Sequence, residues 1–68
     1  LKTIKDTDGI EYAILDVTTK HQTDDAVLFD YDGKDTWIPK SVMEDWPDIG
    51  DNGEAMVKMW FAVEKGLV

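Results

Sequence analysis

Hydrophobic and polar residues along this chain alternate mostly with the period of two that marks β-strands. From Ile10 to Thr18, the residues Ile10, Tyr12, Ile14 and Asp16 fall on one face and Glu11, Ala13, Leu15 and Val17 on the other. Apolar groups on both faces, with the β-branched run Val17-Thr18-Thr19, predict a strand covered on both sides, as in a small curled or closed sheet. Before it, Leu1 to Gly9 predicts a short edge strand anchored by Leu1 and Ile4 and a turn on Asp8-Gly9. After it, Lys20 to Asp25 is polar and reads as a loop.

Ala26 to Tyr31 and Lys34 to Ile38 flank Asp32-Gly33, a strong hairpin signal because Gly accepts positive φ freely and Asp better than most residues. Two registers compete. A two-residue turn sets Asp30 opposite Asp35; a three-residue loop sets Asp30 opposite Lys34 and Val27 opposite Trp37. Charge favours the second, which places Val27, Phe29 and Trp37 together as a core patch.

Pro39 ends this ladder, having no N–H to donate. Ser41 and Glu44 have capping-box spacing and predict a helical turn over residues 42–45, with Val42 and Trp46 packed on the sheet and Trp46-Pro47 stopping the helix. Pro47 to Gly53 is turn chemistry and predicts the most mobile internal loop. Glu54 to Met59 alternates as a further strand. Residues 60–65 suit a short helix, with Gly66 as a left-handed cap and Leu67 folding back. The element order gives one acidic β-rich domain over residues 1–68. The expected fold is a small mainly-β (α+β) domain, built as a curled antiparallel sheet or an SH3-like barrel with short helical turns at 42–45 and 60–65.

Charge narrows the function. Fifteen acids oppose seven lysines, no arginine is present, and the formal net charge is −8. This excludes a basic patch for direct nucleic-acid binding, disfavours anionic lipid and attracts basic surfaces. The absence of cysteine excludes disulfides and thiolate metal sites and fits a cytoplasmic setting. No apolar run approaches the ~20 residues of a membrane span, and no signal peptide is visible. The chain starts at Leu1 without a methionine, as a trimmed or excised chain would.

The string Trp37-Ile38-Pro39-Lys40-Ser41, preceded by Ala26-Val27-Leu28 and followed at the end by Trp60-Phe61-Ala62-Val63-Glu64-Lys65-Gly66-Leu67, resembles a small protein family encoded in phage and prophage genomes. Relatives carry Pro and Glu before the Trp-Phe pair, where this chain has Lys58 and Met59. The resemblance implies a phage accessory context in the host cytoplasm and carries no catalytic residues.

Candidate sites follow from residue chemistry. His21 with Asp24 and Asp25 makes a poor metal set, and neither Asp30, Asp32 and Asp35 around Gly33 nor Asp48, Asp51 and Asn52 has the spacing of a calcium loop. No nucleophile–base pair and no cofactor motif is present, so the expectation is no enzyme, no metal and no cofactor. The remaining candidates are protein-interaction residues: the acids Asp24, Asp25, Asp30, Asp32 and Asp35, then Trp37 and Lys40 beside Ser41, then Trp46 and Trp60. Trp37 is expected in the core.

Three functions compete. The first is a non-enzymatic interaction protein, a phage accessory factor whose acids bind a basic or nucleic-acid-binding protein as an inhibitor or DNA mimic. The second is a structural or oligomer-forming module, a homodimer included, with an apolar patch around Trp46 and Trp60. The third is a small-ligand binder or enzyme with a concave site near Trp37 and Lys40.

Overall fold

A computed structural model describes residues 1–68. The chain runs β1 (Lys2–Lys5), β2 (Glu11–Gln22), β3 (Ala26–Tyr31), β4 (Lys34–Pro39), a 3₁₀ turn (Lys40–Val42), β5 (Met43–Asp45), β6 (Asn52–Lys58) and α1 (Met59–Glu64). All strand pairs are antiparallel and form one six-stranded sheet in the order β4-β3-β2-β6-β5, with β1 also paired to β2. The sheet is open: β4 and β5 end it and do not pair with each other. Of the two expected architectures, the curled sheet is the one found.

The long strand β2 organises the sheet. Its first four residues pair with β1 and its last residues with β3 on the same side, while β6 runs along the other. A register shift between Thr19 and His21 leaves Lys20 without a partner on β3, as at a β-bulge. This extends β2 four residues beyond the expected strand end at Thr18, and His21 stands on a strand instead of in a loop. The ladder to β3 carries the extension, with Thr19 opposite Phe29, His21 opposite Leu28 and Gln22 opposite Val27.

One face holds the core. Ala13, Leu15 and Val17 of β2, Val27 and Phe29 of β3, Ile38 of β4 and Ala55 and Val57 of β6 pack with Val42, Met43, Phe61 and Ala62. Trp46 and Leu67 lie half-buried against this cluster. At the chain start, Leu1 and Ile4 are exposed, so the ladder to β2 holds β1 in place without the expected apolar anchors.

The β3–β4 register corrects the sequence-based expectation. Val27 faces Ile38, Leu28 faces Trp37 and Asp30 faces Asp35. Asp32 (φ 53°) and Gly33 (φ 78°) both have positive φ, which makes the connection a two-residue type I′ turn. That turn matches the strand twist, and its register sets Ile38 opposite Val27 and buries it fully in the core. A shift of one residue would exchange Ile38 for Trp37 on the core face. These gains outweigh a like-charge penalty of about 0.2–1 kcal/mol. Trp37 is consequently 50% exposed on the opposite face, and the expected Val27-Phe29-Trp37 core patch does not form.

The helical turn expected over 42–45 is displaced. Lys40–Val42 forms the 3₁₀ turn, Pro39 precedes it without a side-chain cap, and Met43–Asp45 pairs with β6 as a strand. Ser41 and Glu44 form no capping box, and Glu44 instead accepts from the Tyr12 hydroxyl at 3.2 Å. The connection before β6 is tied down: Thr19 N–H donates to Asp51 O (3.1 Å), Gly50 N–H to Thr19 O (2.8 Å), and the Thr19 hydroxyl to Pro47 O (2.8 Å). These bonds satisfy Thr19, the one buried polar residue, and restrain the loop expected to be mobile. At the chain end, Gly66 (φ 71°) and Leu67 close a Schellman motif, with Gly66 N–H on Val63 O (3.1 Å) and Leu67 N–H on Ala62 O (2.8 Å). The Tyr31 hydroxyl donates to Leu67 O at 2.7 Å and fixes that end to β3.

Candidate functional site

Every carboxylate except that of Asp6 belongs to an exposed residue. Their grouping follows from register. On the face opposite the core, β4 Asp35, β3 Asp30, β2 Thr18 and β6 Asn52 align across four strands, and Asp16 faces Glu54 in the next row. Two cross-strand pairs are therefore acid against acid. Each has one lysine: Lys20 Nζ lies 2.8 Å from Asp35 Oδ1, and Lys2 Nζ lies 3.1 Å from Glu54 Oε2. Its hydrogen bond to Asp35 and the charge of Asp35 hold the Lys20 ammonium above its ordinary pKa; desolvation opposes them, and the charge of Asp30 adds to them.

Trp37 stands on the same face, opposite Leu28, with its ring edge-to-face against His21 (centroids 6.3 Å apart). Asp30, Asp35 and Trp37 are thus brought together, and Lys20 and His21 join them. Asp32 sits in the type I′ turn at one end of the β3–β4 hairpin, whereas Asp24 and Asp25 form the β2–β3 turn at the other. Lys40 is half-buried where β4 ends, and its N–H donates to Asp25 O (2.8 Å). Trp46 is a half-buried contributor to the core. Trp60 is 58% exposed at the start of α1 and meets Phe61 edge-to-face.

A cleft of about 440 Å³ opens between the outer edge of β4 and the end of α1, lined by Thr36, Trp37, Phe61 and Leu67 and by the charged residues Asp32, Lys34, Asp35 and Lys65. It reaches Trp37 but not Lys40, so the concave site expected near both residues adjoins only one of them. No group of three or more histidine and acidic side chains is placed to hold a metal ion. No helix is long and apolar enough to cross a membrane.

A separate polar cluster lies at Tyr12. This residue is 1% exposed, yet it stands outside the main core because its side chain leaves β2 on the other face. Its hydroxyl donates to Glu44, with Asp6 Oδ2 at 3.5 Å. Burial first, then the hydrogen bond and charge of Glu44 and the nearness of Asp6, push the Tyr12 hydroxyl above its ordinary pKa.

Residue chemistry alone does not single out Asp16, Glu54 and Lys20. The signal for them is the register, which depends on strand pairings far apart in sequence. No family model matches the chain, and comparison with curated proteins and with solved structures finds no similar protein.

Proposed function

We infer that the chain is a non-enzymatic interaction protein that docks on a basic surface of another protein through the outer face of its sheet. The observation that carries this reading is the pairing of Asp30 with Asp35 and of Asp16 with Glu54 on one face, with only Lys20 and Lys2 beside them. Like charges set directly opposite each other cost stability. A basic partner would offset that cost on binding, and the net charge of −8 would speed the encounter.

In its sharpest form the partner is a nucleic-acid-binding protein. Carboxylates fixed on strands compete for the same lysines and arginines that contact phosphates. The phage accessory context implied by the Trp37–Ser41 string belongs with this reading, as an inhibitor acting in the host cytoplasm. The test is capture of partners from host lysate at low salt, each then challenged by rising salt and by duplex DNA. A basic partner released by both supports the reading. A partner that resists both and is lost on Trp60→Ala refutes it and favours an apolar docking module. That second reading draws on Trp60 and Val63, which are 58% and 60% exposed one turn apart on α1.

A further inference from the structure

We propose, building on the basic-partner reading above, that the free edge of β4 is a strand-addition site for an extended partner segment in which basic and apolar residues alternate. β4 pairs only with β3. In a two-residue hairpin the residues flanking the turn, Tyr31 and Lys34, form a hydrogen-bonded pair. Antiparallel alternation then makes Phe29–Thr36 and Val27–Ile38 the next such pairs and turns the N–H and C=O groups of Asp35 and Trp37 away from the sheet. None of the turn, loop or side-chain hydrogen bonds in the chain takes up these two N–H groups. Pro39 lies in the same outward phase and, lacking an N–H, ends the free run.

The other edges are guarded. β5 has three residues and an irregular register, and β1 carries Lys2 and Lys5, which repel a basic strand. Along β4, the cleft is lined in part by Asp35 and Trp37, the residues whose amides are left free.

The charge pattern selects the occupant. Side chains of an added strand alternate between the two faces. Those on the outer face come beside Asp35, one oxygen of which already holds Lys20, and the exposed indole of Trp37; the second Asp35 oxygen and the indole both attract cations, and Asp30 stands behind Asp35. Those on the other face enter the cleft, where Phe61 and Leu67 favour an apolar group and the charges of Lys34 and Lys65 are balanced by those of Asp32 and Asp35. The fitting segment therefore reads basic, apolar, basic. A second copy of this chain fits poorly, since it would bring another charge of −8 to the same edge.

The test titrates the ¹⁵N-labelled chain with a nine-residue peptide of alternating arginine and leucine. Two controls are a peptide of the same composition in block order and the alternating peptide with N-methylated backbone. The alternating peptide should bind at least tenfold more tightly than either control and slow amide exchange at Asp35 and Trp37 at least tenfold. Asp35→Pro, which removes the donor, should weaken binding several-fold more than Asp35→Asn, which removes only the charge. Equal binding of alternating and block peptides with no slowing at those amides would overturn strand addition and leave the basic-partner reading standing. Binding of neither peptide would overturn both. Slow exchange at Asp35 and Trp37 in the free protein, with the mass of a dimer, would assign the edge to a second copy and overturn the proposal.

Discussion

Asp30 and Asp35 stand opposite each other in the β3–β4 ladder, and the Lys20 ammonium, 2.8 Å from Asp35, is the cation that joins them from β2. The turn geometry and the core fix this juxtaposition, so the charges bear it without determining it. Asp30→Asn should therefore stabilise the fold by about 0.2–1 kcal/mol, seen as a rise in the urea midpoint at low salt. The gain should shrink at about 1 M salt, where the screening length is only about 3 Å. A lower midpoint would mean that Asp30 makes a favourable contact absent from this account.

Gly33 has φ 78°, and a Cβ built on it would meet nothing within 4 Å. The cost of Gly33→Ala is then purely one of backbone conformation, about 1–2 kcal/mol. Urea unfolding measures it. A neutral substitution would argue for a different turn and hence a different register.

Phe29 is fully buried and Trp37 half exposed, although the two lie on adjacent strands. Phe29→Ala should cost about 3–5 kcal/mol, enough to threaten a domain of this size. Trp37→Ala should change stability by no more than about 0.5 kcal/mol. Comparable losses from the two would place Trp37 in the core after all.

Alkaline pH should weaken the fold through Tyr12 and Lys20, whose pKa values are both raised. A raised folded pKa means that the folded chain holds its proton longer, so stability is intact below the unfolded values, about 10 for tyrosine and 10.4 for lysine. It falls as pH climbs through the higher folded values. Urea midpoints measured upward from pH 9 should show this decline, Tyr12→Phe should flatten part of it, and tyrosinate absorbance should place one phenol above the ordinary range. An unchanged slope in Tyr12→Phe would contradict the role given to Tyr12.

Local patterns made much of the fold legible. The alternation in β2, the Asp32-Gly33 turn, Pro39 at a ladder end and the Gly66 cap are each written in a few adjacent residues. What local chemistry misjudged was competition between terms. Charge favoured the wrong hairpin register because the twist of a type I′ turn and the burial of Ile38 were larger. Ser41 and Glu44 matched a capping box, but Met43–Asp45 found ladder partners on β6 and Glu44 found Tyr12. The candidate site was legible only in part: Asp30, Asp35 and Trp37 could be named from their types, whereas Asp16, Glu54 and Lys20 join them through contacts spanning the chain.

The most direct measurement compares two variants that remove equal charge from different places. One neutralises the outer face with Asp16→Asn, Asp30→Asn, Asp35→Asn and Glu54→Gln. The other neutralises loops with Asp8→Asn, Asp24→Asn, Asp48→Asn and Asp51→Asn. Both halve the net charge of −8. Affinity for a captured basic partner, measured across a salt series, should fall at least tenfold and lose most of its salt dependence in the face variant, while the loop variant stays close to the parent. Equal losses in the two would mean that charge acts only in bulk, and would contradict recognition through the sheet face.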